Sequence, residues 1–148
     1  MTEPNPLADE VTRKFLQINR FLRQYARQIS EQGIRPVELA ILRFLHQTGP
    51  ATVGQVQGYV FRSPGTTSMV LSQMEEAGYV TRTRSTQDNR VVMVALTETG
   101  RLLAETTPLA GIALLRQRLH DLPPERLHRL AAALTEIMTL MEVSETDE

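Results

Sequence analysis

Residues 63–100 read SPGTTSMVLSQMEEAGYVTRTRSTQDNRVVMVALTETG, and this stretch decides the fold. Ser63 is a good helix N-cap, and Pro64 suits the first helical position, where a proline sacrifices no intrahelical bond. The helix then runs over 64–77 and stops at Gly78. Within it Thr67, Val70, Leu71, Met74 and Ala77 share one face, expected to pack inward. The opposite face carries Gly65, Ser68, Met69, Ser72, Gln73 and Glu76. Such a small polar face is what a helix lying in a DNA major groove needs. Strand-type residues follow (YVTRTR), then a loop, STQDNR, then VVMVALT. Val92, Val94 and Leu96 alternate with Met93 and Ala95, the period of a half-buried strand. A basic ribbon tip after such a helix can reach the neighbouring minor groove. Residues 81–90 hold three arginines, Arg82, Arg84 and Arg90, against one acid, Asp88.

Working outward, residues 7–32 form an amphipathic helix pattern. Val11, Phe15, Ile18, Leu22, Tyr25 and Ile29 step alternately by four and three, a heptad-like seam. Arg13, Arg20, Arg23 and Arg27 lie off it. Gly33 ends this helix and Pro36 opens the next, over 36–47, with Val37, Ile41, Leu42, Phe44 and Leu45 available for burial. Gly49-Pro50 breaks it. A short third helix at 52–59 contains Gly54 and Gly58, each costing about 1 kcal/mol relative to alanine. Tertiary packing must therefore hold it. Thr97 caps a further helix over 98–120, and Pro108 inside it should bend the rod. Leu122-Pro123-Pro124 starts the last helix, where Leu127, Leu130, Leu134, Ile137 and Met141 form a second seam. An acidic tail, Ser144–Glu148, closes the sequence.

A chain of 148 residues suggests one domain, 1–148. It cannot easily bury two terminal seams against its own centre. A two-fold dimer with interlocking end helices is the economical solution. Its interface would use Val11, Phe15, Ile18 and Leu22 with Leu130, Leu134, Ile137 and Met141. The fold class is therefore mainly α with a small β-wing (α+β). A helix-and-ribbon module at 35–100, which the resemblance given below makes a winged helix-turn-helix, is flanked by a helical dimerisation region, 7–34 plus 101–144.

Net charge is −1, not the signature of a generic nucleic-acid binder. Its distribution is more informative. Residues 35–101 carry seven basic residues against five acids, and residues 102–148 four against eight. The basic charge sits on the reading module. The absence of cysteine excludes disulfides, thiol redox sensing and Cys-ligated metal. His46, His120 and His128 are far apart in sequence and suggest no metal site. The glycines form no phosphate loop, and no nucleophile elbow occurs. Neither a cofactor nor an enzyme is expected. No apolar run approaches a membrane span, and MTEPNPLADE is not a signal peptide, so a cytoplasmic protein without membrane contact is the expectation.

The central segment resembles the winged helix-turn-helix of the MarR (multiple antibiotic resistance regulator) family of bacterial transcription factors. The matching pieces are Met74-Glu75-Glu76-Ala77-Gly78-Tyr79-Val80-Thr81-Arg82, then Asp88-Asn89-Arg90, then Leu96-Thr97-Glu98-Thr99-Gly100. Met74 stands where the family usually has leucine. The resemblance implies a homodimeric repressor on a pseudo-palindromic operator in double-stranded DNA. Each subunit would place helix 63–77 in a major groove and wing 85–90 in the adjacent minor groove. Arg90 would enter that groove and Asp88 would orient the wing. Candidate DNA contacts are Arg62, Ser63, Gly65, Thr66, Ser68, Met69, Ser72, Gln73, Arg82, Arg84, Asp88 and Arg90.

The resemblance also implies release by a small, anionic aromatic effector in a crevice formed by helices one, two and five. Arg13, Arg20 and Arg43 are candidate partners for it, against the plainer reading as salt-bridging residues. One departure matters. Many family members carry a basic residue where this chain has Met69, and often another near Gln73. Here none lies between 63 and 78, so this helix has no side chain for bidentate guanine reading. Phosphate contacts would come from Arg62, Arg82, Arg84 or amides at the helix N-terminus. Met69 suits a thymine methyl and Gln73 can pair with adenine, which leans the half-site toward A·T. The alternative reading is a winged-helix protein–protein module that does not bind DNA. The missing helix arginine and the negative net charge favour it, and Arg90 opposes it.

Overall fold

The computed structural model describes residues 3–144; apart from Ser144, the acidic tail lies outside them. Ten elements follow in order: α1 (Pro6–Glu31), α2 (Pro36–Thr48), β1 (Ala51–Thr52), α3 (Val53–Val60), α4 (Pro64–Glu76), β2 (Val80–Arg84), β3 (Val92–Leu96), α5 (Glu98–Thr106), α6 (Gly111–His120) and α7 (Pro124–Leu140). Helix starts follow capping chemistry. The Asn5 side chain accepts from the amides of Leu7 and Ala8, Thr52 from Gln55, Ser63 from Thr66 and Thr97 from Gly100. Gly33 and Gly78 end α1 and α4 at φ near +80°, a conformation glycine adopts without penalty.

The strands form one antiparallel sheet in the order β1-β3-β2. Val80 pairs with Leu96 and Arg84 with Val92, so the β2–β3 ribbon is in register from base to tip. β1 is an addition to the sequence reading: Ala51 and Thr52 pair with Val94 and Met93. Two residues have no periodicity of their own, and only the pairing with β3 makes them a strand.

The core lies within the central module. Ile41, Leu42 and Leu45 of α2 meet Val56 of α3, Val70, Leu71 and Met74 of α4, and Val80 and Val94 of the ribbon, all nearly free of solvent contact. Each such burial stabilises by roughly 1.5–3 kcal/mol. This packing holds the glycine-bearing α3. Ala77 is an exception to the expected inward face: it is the C-cap of α4 and is exposed, because the helix leaves the core there.

The expected single rod over 98–120 is two helices. Thr107 is extended (φ −83°, ψ 126°) and the chain resumes helical form only at Gly111. Pro108 explains the break. It lacks an amide donor and disfavours the α region for the residue before it. The break is fixed from α2: Arg43, 8% exposed, donates through Nη2 to the carbonyls of Thr107 (2.9 Å) and Pro108 (2.5 Å). On the far side, Gly111 sits at φ +60°, where an added Cβ would come within 2.9 Å of the Tyr25 ring.

The terminal helices are packed differently from the centre. Neither α6 nor α7 has a buried residue. Val11, Ile18, Leu130, Leu134 and Met141 are exposed, while Phe15, Leu22 and Ile137 are half-buried. Apolar side chains at seam spacing are thus left facing outward at both ends of the chain.

Candidate nucleic-acid interface

Helix α4 turns its apolar side into the core and its other side out. Gly65, Ser68, Gln73 and Glu76 are exposed and Ser72 is half-buried. Met69 is 53% exposed, so a thioether stands on this surface without packing to justify it. Ser63 and Thr66 are occupied with each other. The Ser63 hydroxyl accepts from the Thr66 amide and donates to the Thr66 hydroxyl (2.9 Å), which fixes the start of the helix.

The wing is a braced loop. Asp88 Oδ1 accepts from the Arg90 backbone amide (3.0 Å) and from Arg90 Nε (3.3 Å). Arg84 Nη1 donates to the Asn89 carbonyl (2.8 Å), and Ser85 and Val91 close the base through a backbone bond. The Arg90 side chain is 89% exposed, the Asp88 contact notwithstanding. Arg82 ties the ribbon back to α4. Its Nη2 donates to the Ser72 hydroxyl (3.0 Å) and Glu75 Oε1 (3.3 Å), and its amide donates to Glu75 Oε2 (2.9 Å). The Arg82 side chain and then its amide hold the Glu75 carboxyl below the usual carboxylate range.

Ser68 on α4, Arg82 and Arg90 on the wing and the start of α3 at Thr52–Gly54 line one groove. Of the residues singled out in sequence, these converge. Arg82 and Arg84 are committed to intramolecular bonds that shape the wing, while Arg62 and Arg90 project. One residue on this surface was not anticipated. Arg35, the N-cap of α2, bonds Glu38 and donates to Gln73 Oε1 on the reading helix. It brings a guanidinium, paired with Glu38, against α4 from 38 residues away in sequence. The only local cue was its place before Pro36.

The family model that describes the MarR family matches residues 34–92, which contain α2 to the wing. Over that segment the chain is similar to a MarR-family domain. Among curated relatives, the HTH-type transcriptional repressor MdtR of Bacillus subtilis is 27% identical over 120 residues, 81% of this chain and 76% of that protein. Other curated regulators match over about half of their own length. Among solved structures, AbsC of Streptomyces coelicolor, a MarR family transcriptional regulator, superposes with a TM-score of 0.67 at 23% identity, covering 97% of this chain and all of that one. FabT of Streptococcus pneumoniae, in complex with DNA, gives 0.63 at 23%, covering 91% and 97%. At such identities the structures establish a shared winged-helix fold.

The Leu96-Thr97-Glu98-Thr99-Gly100 segment has a steric reason here. The Thr97 hydroxyl donates to the Gly78 carbonyl (2.5 Å) and accepts from the Gly100 amide (3.1 Å), locking the end of α4 to the start of α5. An added Cβ on Gly100 would lie 2.1 Å from the Tyr79 carbonyl oxygen. Only glycine permits that approach.

A second feature lies behind the reading module. A cavity of about 220 Å³ separates α1, α2, α3 and α6, with Leu22, Tyr25, Leu39, Arg43, Tyr59 and Arg116 among its walls. The effector crevice expected from the sequence drew on helices one, two and five, the last being the 98–120 segment that includes Arg116; Tyr59 of α3 was not part of it. The Arg116 guanidinium lies 3.7 Å over the Tyr59 ring and donates to the Tyr59 carbonyl (2.9 Å). Of the three arginines considered for an effector, Arg43 lines this cavity. Arg20 faces a separate groove on α1, and Arg13 lines neither.

Proposed function

We propose that the protein is a homodimeric transcriptional repressor that grips a pseudo-palindromic operator and releases it on binding a small anionic aromatic effector. The observation that carries the DNA-binding part is the junction of α4 and the wing. An outward polar helix face and a projecting Arg90 share one rigid surface, clamped by Arg82 to Ser72 and Glu75. Such a surface can follow a major groove and the adjacent minor groove together. DNA in the FabT complex and the repressor description of MdtR support carrying this reading over.

Dimerisation is supported by the outward apolar side chains of α1 and α7. A two-fold pair would set the two α4 helices one DNA turn apart, about 34–36 Å. Contacts come from Arg62, Gly65, Ser68, Met69, Gln73 and Arg90, with Arg35 added. Ser63, Thr66, Ser72, Arg82, Arg84 and Asp88 hold them in place. The effector occupies the cavity behind α2. Among the described residues no helix is long and apolar enough to cross a membrane.

Fluorescence anisotropy on the duplex upstream of the protein's own gene, with sedimentation of the complex, tests this. Two chains per duplex, with affinity falling as salt rises, is the expected result. Failure to bind any duplex at low salt would overturn it.

A further inference from the structure

We propose that Arg43 is a latch shared by the effector and the linker 107–110, so that an oxyanion cannot take its guanidinium fork without unfastening the linker. This rests on the effector reading above and names its transmission step. Arg43 is more than nine-tenths buried, yet no carboxylate lies within ion-pair distance of it among the described residues. Its charge meets the carbonyls of Thr107 and Pro108. A buried cation without a counter-ion is costly, and it favours any anion that can reach it. The cavity gives that access. Its walls are apolar and aromatic, with Arg43 and Arg116 as the charged groups and no acid.

The geometry of the fork supplies the coupling. A guanidinium offers a carboxylate two bidentate edges, Nε with Nη2 and Nη1 with Nη2; Cδ blocks the third. Both edges use Nη2. In Arg43 the two hydrogens of Nη2 serve the Thr107 and Pro108 carbonyls. A bidentate carboxylate must therefore displace at least one of them. A bidentate pair charged on both sides is stronger than a guanidinium bond to a neutral carbonyl, so the linker carbonyl yields. Arg116 repeats the pattern, since its Nη2 holds the Tyr59 carbonyl of α3 from α6. Each arginine thus spans the joint between the reading module and the helices after Pro108. Loosening that joint changes how α6 is held against α2, and with it the spacing of the two reading helices in a dimer.

The test uses the full-length protein, sodium benzoate as the anion and benzamide as its neutral counterpart. Binding is read by calorimetry, linker release by hydrogen exchange of the peptide spanning 103–112, and DNA affinity by anisotropy. Benzoate should bind wild type, raise exchange in the linker and weaken DNA binding by about 5- to 150-fold, the range of ordinary coupling energies. Benzamide should do none of these. Arg43→Gln should show fast linker exchange without ligand and no further response. Arg43→Lys keeps the cation and loses the fork, so its linker should not respond to benzoate even where the Gln variant fails to fold. Benzoate that releases DNA from wild type with linker exchange unchanged would overturn the latch and leave the effector reading standing. No benzoate binding at all would overturn both, as would an Arg43→Gln protein with a slow-exchanging linker that still responds like wild type.

Discussion

Replacing Arg90 by alanine separates DNA binding from folding. Its side chain is 89% exposed, and its one ion-pair partner, Asp88, is also held by the Arg90 backbone amide, which the substitution keeps. Thermal unfolding should therefore be unchanged. Loss of one groove contact costs about 1–3 kcal/mol. A dimer presents two wings, so the operator complex should weaken by about 2–6 kcal/mol, or roughly 30-fold to 2 × 10⁴-fold. Each arginine withdrawn from the phosphate field should also reduce the slope of log affinity against log salt by about 0.9. Anisotropy titrations at several salt concentrations, beside a melting curve, give all three quantities. Unaltered affinity with an unaltered salt slope would refute the placement of the wing in a groove. A fall in melting temperature matching the loss of affinity would show that Arg90 acts through wing stability instead.

Leu134→Asp with Ile137→Asp should leave the chain aggregated or unfolded, because the charges would enter the dimer seam unpaired; a well-folded monomer by sedimentation would show that the seam is not the interface. Gly100→Ala should destabilise by about 1–3 kcal/mol, since the new Cβ falls 2.1 Å from the Tyr79 oxygen and the backbone must move. Gly58→Ala, with nothing within 4 Å of the new atom, should stabilise by up to about 1 kcal/mol, and denaturant midpoints compare the two. The carboxyls of Glu75, Glu98 and Glu105 are held below their ordinary value of 4.5, by Arg82, by Arg101, and by His46 with Arg101 respectively. Groups with depressed folded values stabilise fully above that value and lose the contribution as pH falls through the folded ones. The melting temperature should be flat above about pH 5 and fall below about 4.5; a melting temperature that rises on acidification would contradict the pairings.

The parts legible in sequence are those governed by neighbours along the chain. Caps at Ser63 and Thr97, glycine stops at 33 and 78, and the alternation of Val92, Val94 and Leu96 each depend on a few adjacent residues. They located α4, the ribbon and the start of α5 to within about two residues. Pro108 was legible as an irregularity but not as a full break. A proline alone bends a helix; the four-residue interruption also needs Arg43 to satisfy carbonyls that the helix no longer binds. That contact spans 64 and 65 residues, and no pattern in a window reveals it.

The same limit explains why the reading helix looked deprived of positive charge. Residues 63–78 hold no arginine, but the surface around α4 is assembled from three places in the chain. Arg35 reaches Gln73 from the N-cap of α2, where Pro36 fixes the turn and Glu38 holds the guanidinium edge-on. Arg82 reaches Ser72 from β2. Gln73 offers its oxygen to Arg35, so its amide NH₂ is the end left to face a base. An amide nitrogen donates, and the major-groove acceptors within its reach are N7 of either purine and O6 of guanine. With Gln73 pinned in this way, the adenine preference inferred from a freely rotating side chain weakens, while Arg35, whose Nη2 already serves Glu38 and Gln73, offers guanine no free bidentate edge. The fold thus sets an arginine, paired with Glu38, beside a helix that has none of its own, and a half-site selection on Arg35→Ala should show a changed preference at the position Gln73 faces if the pair takes part in reading.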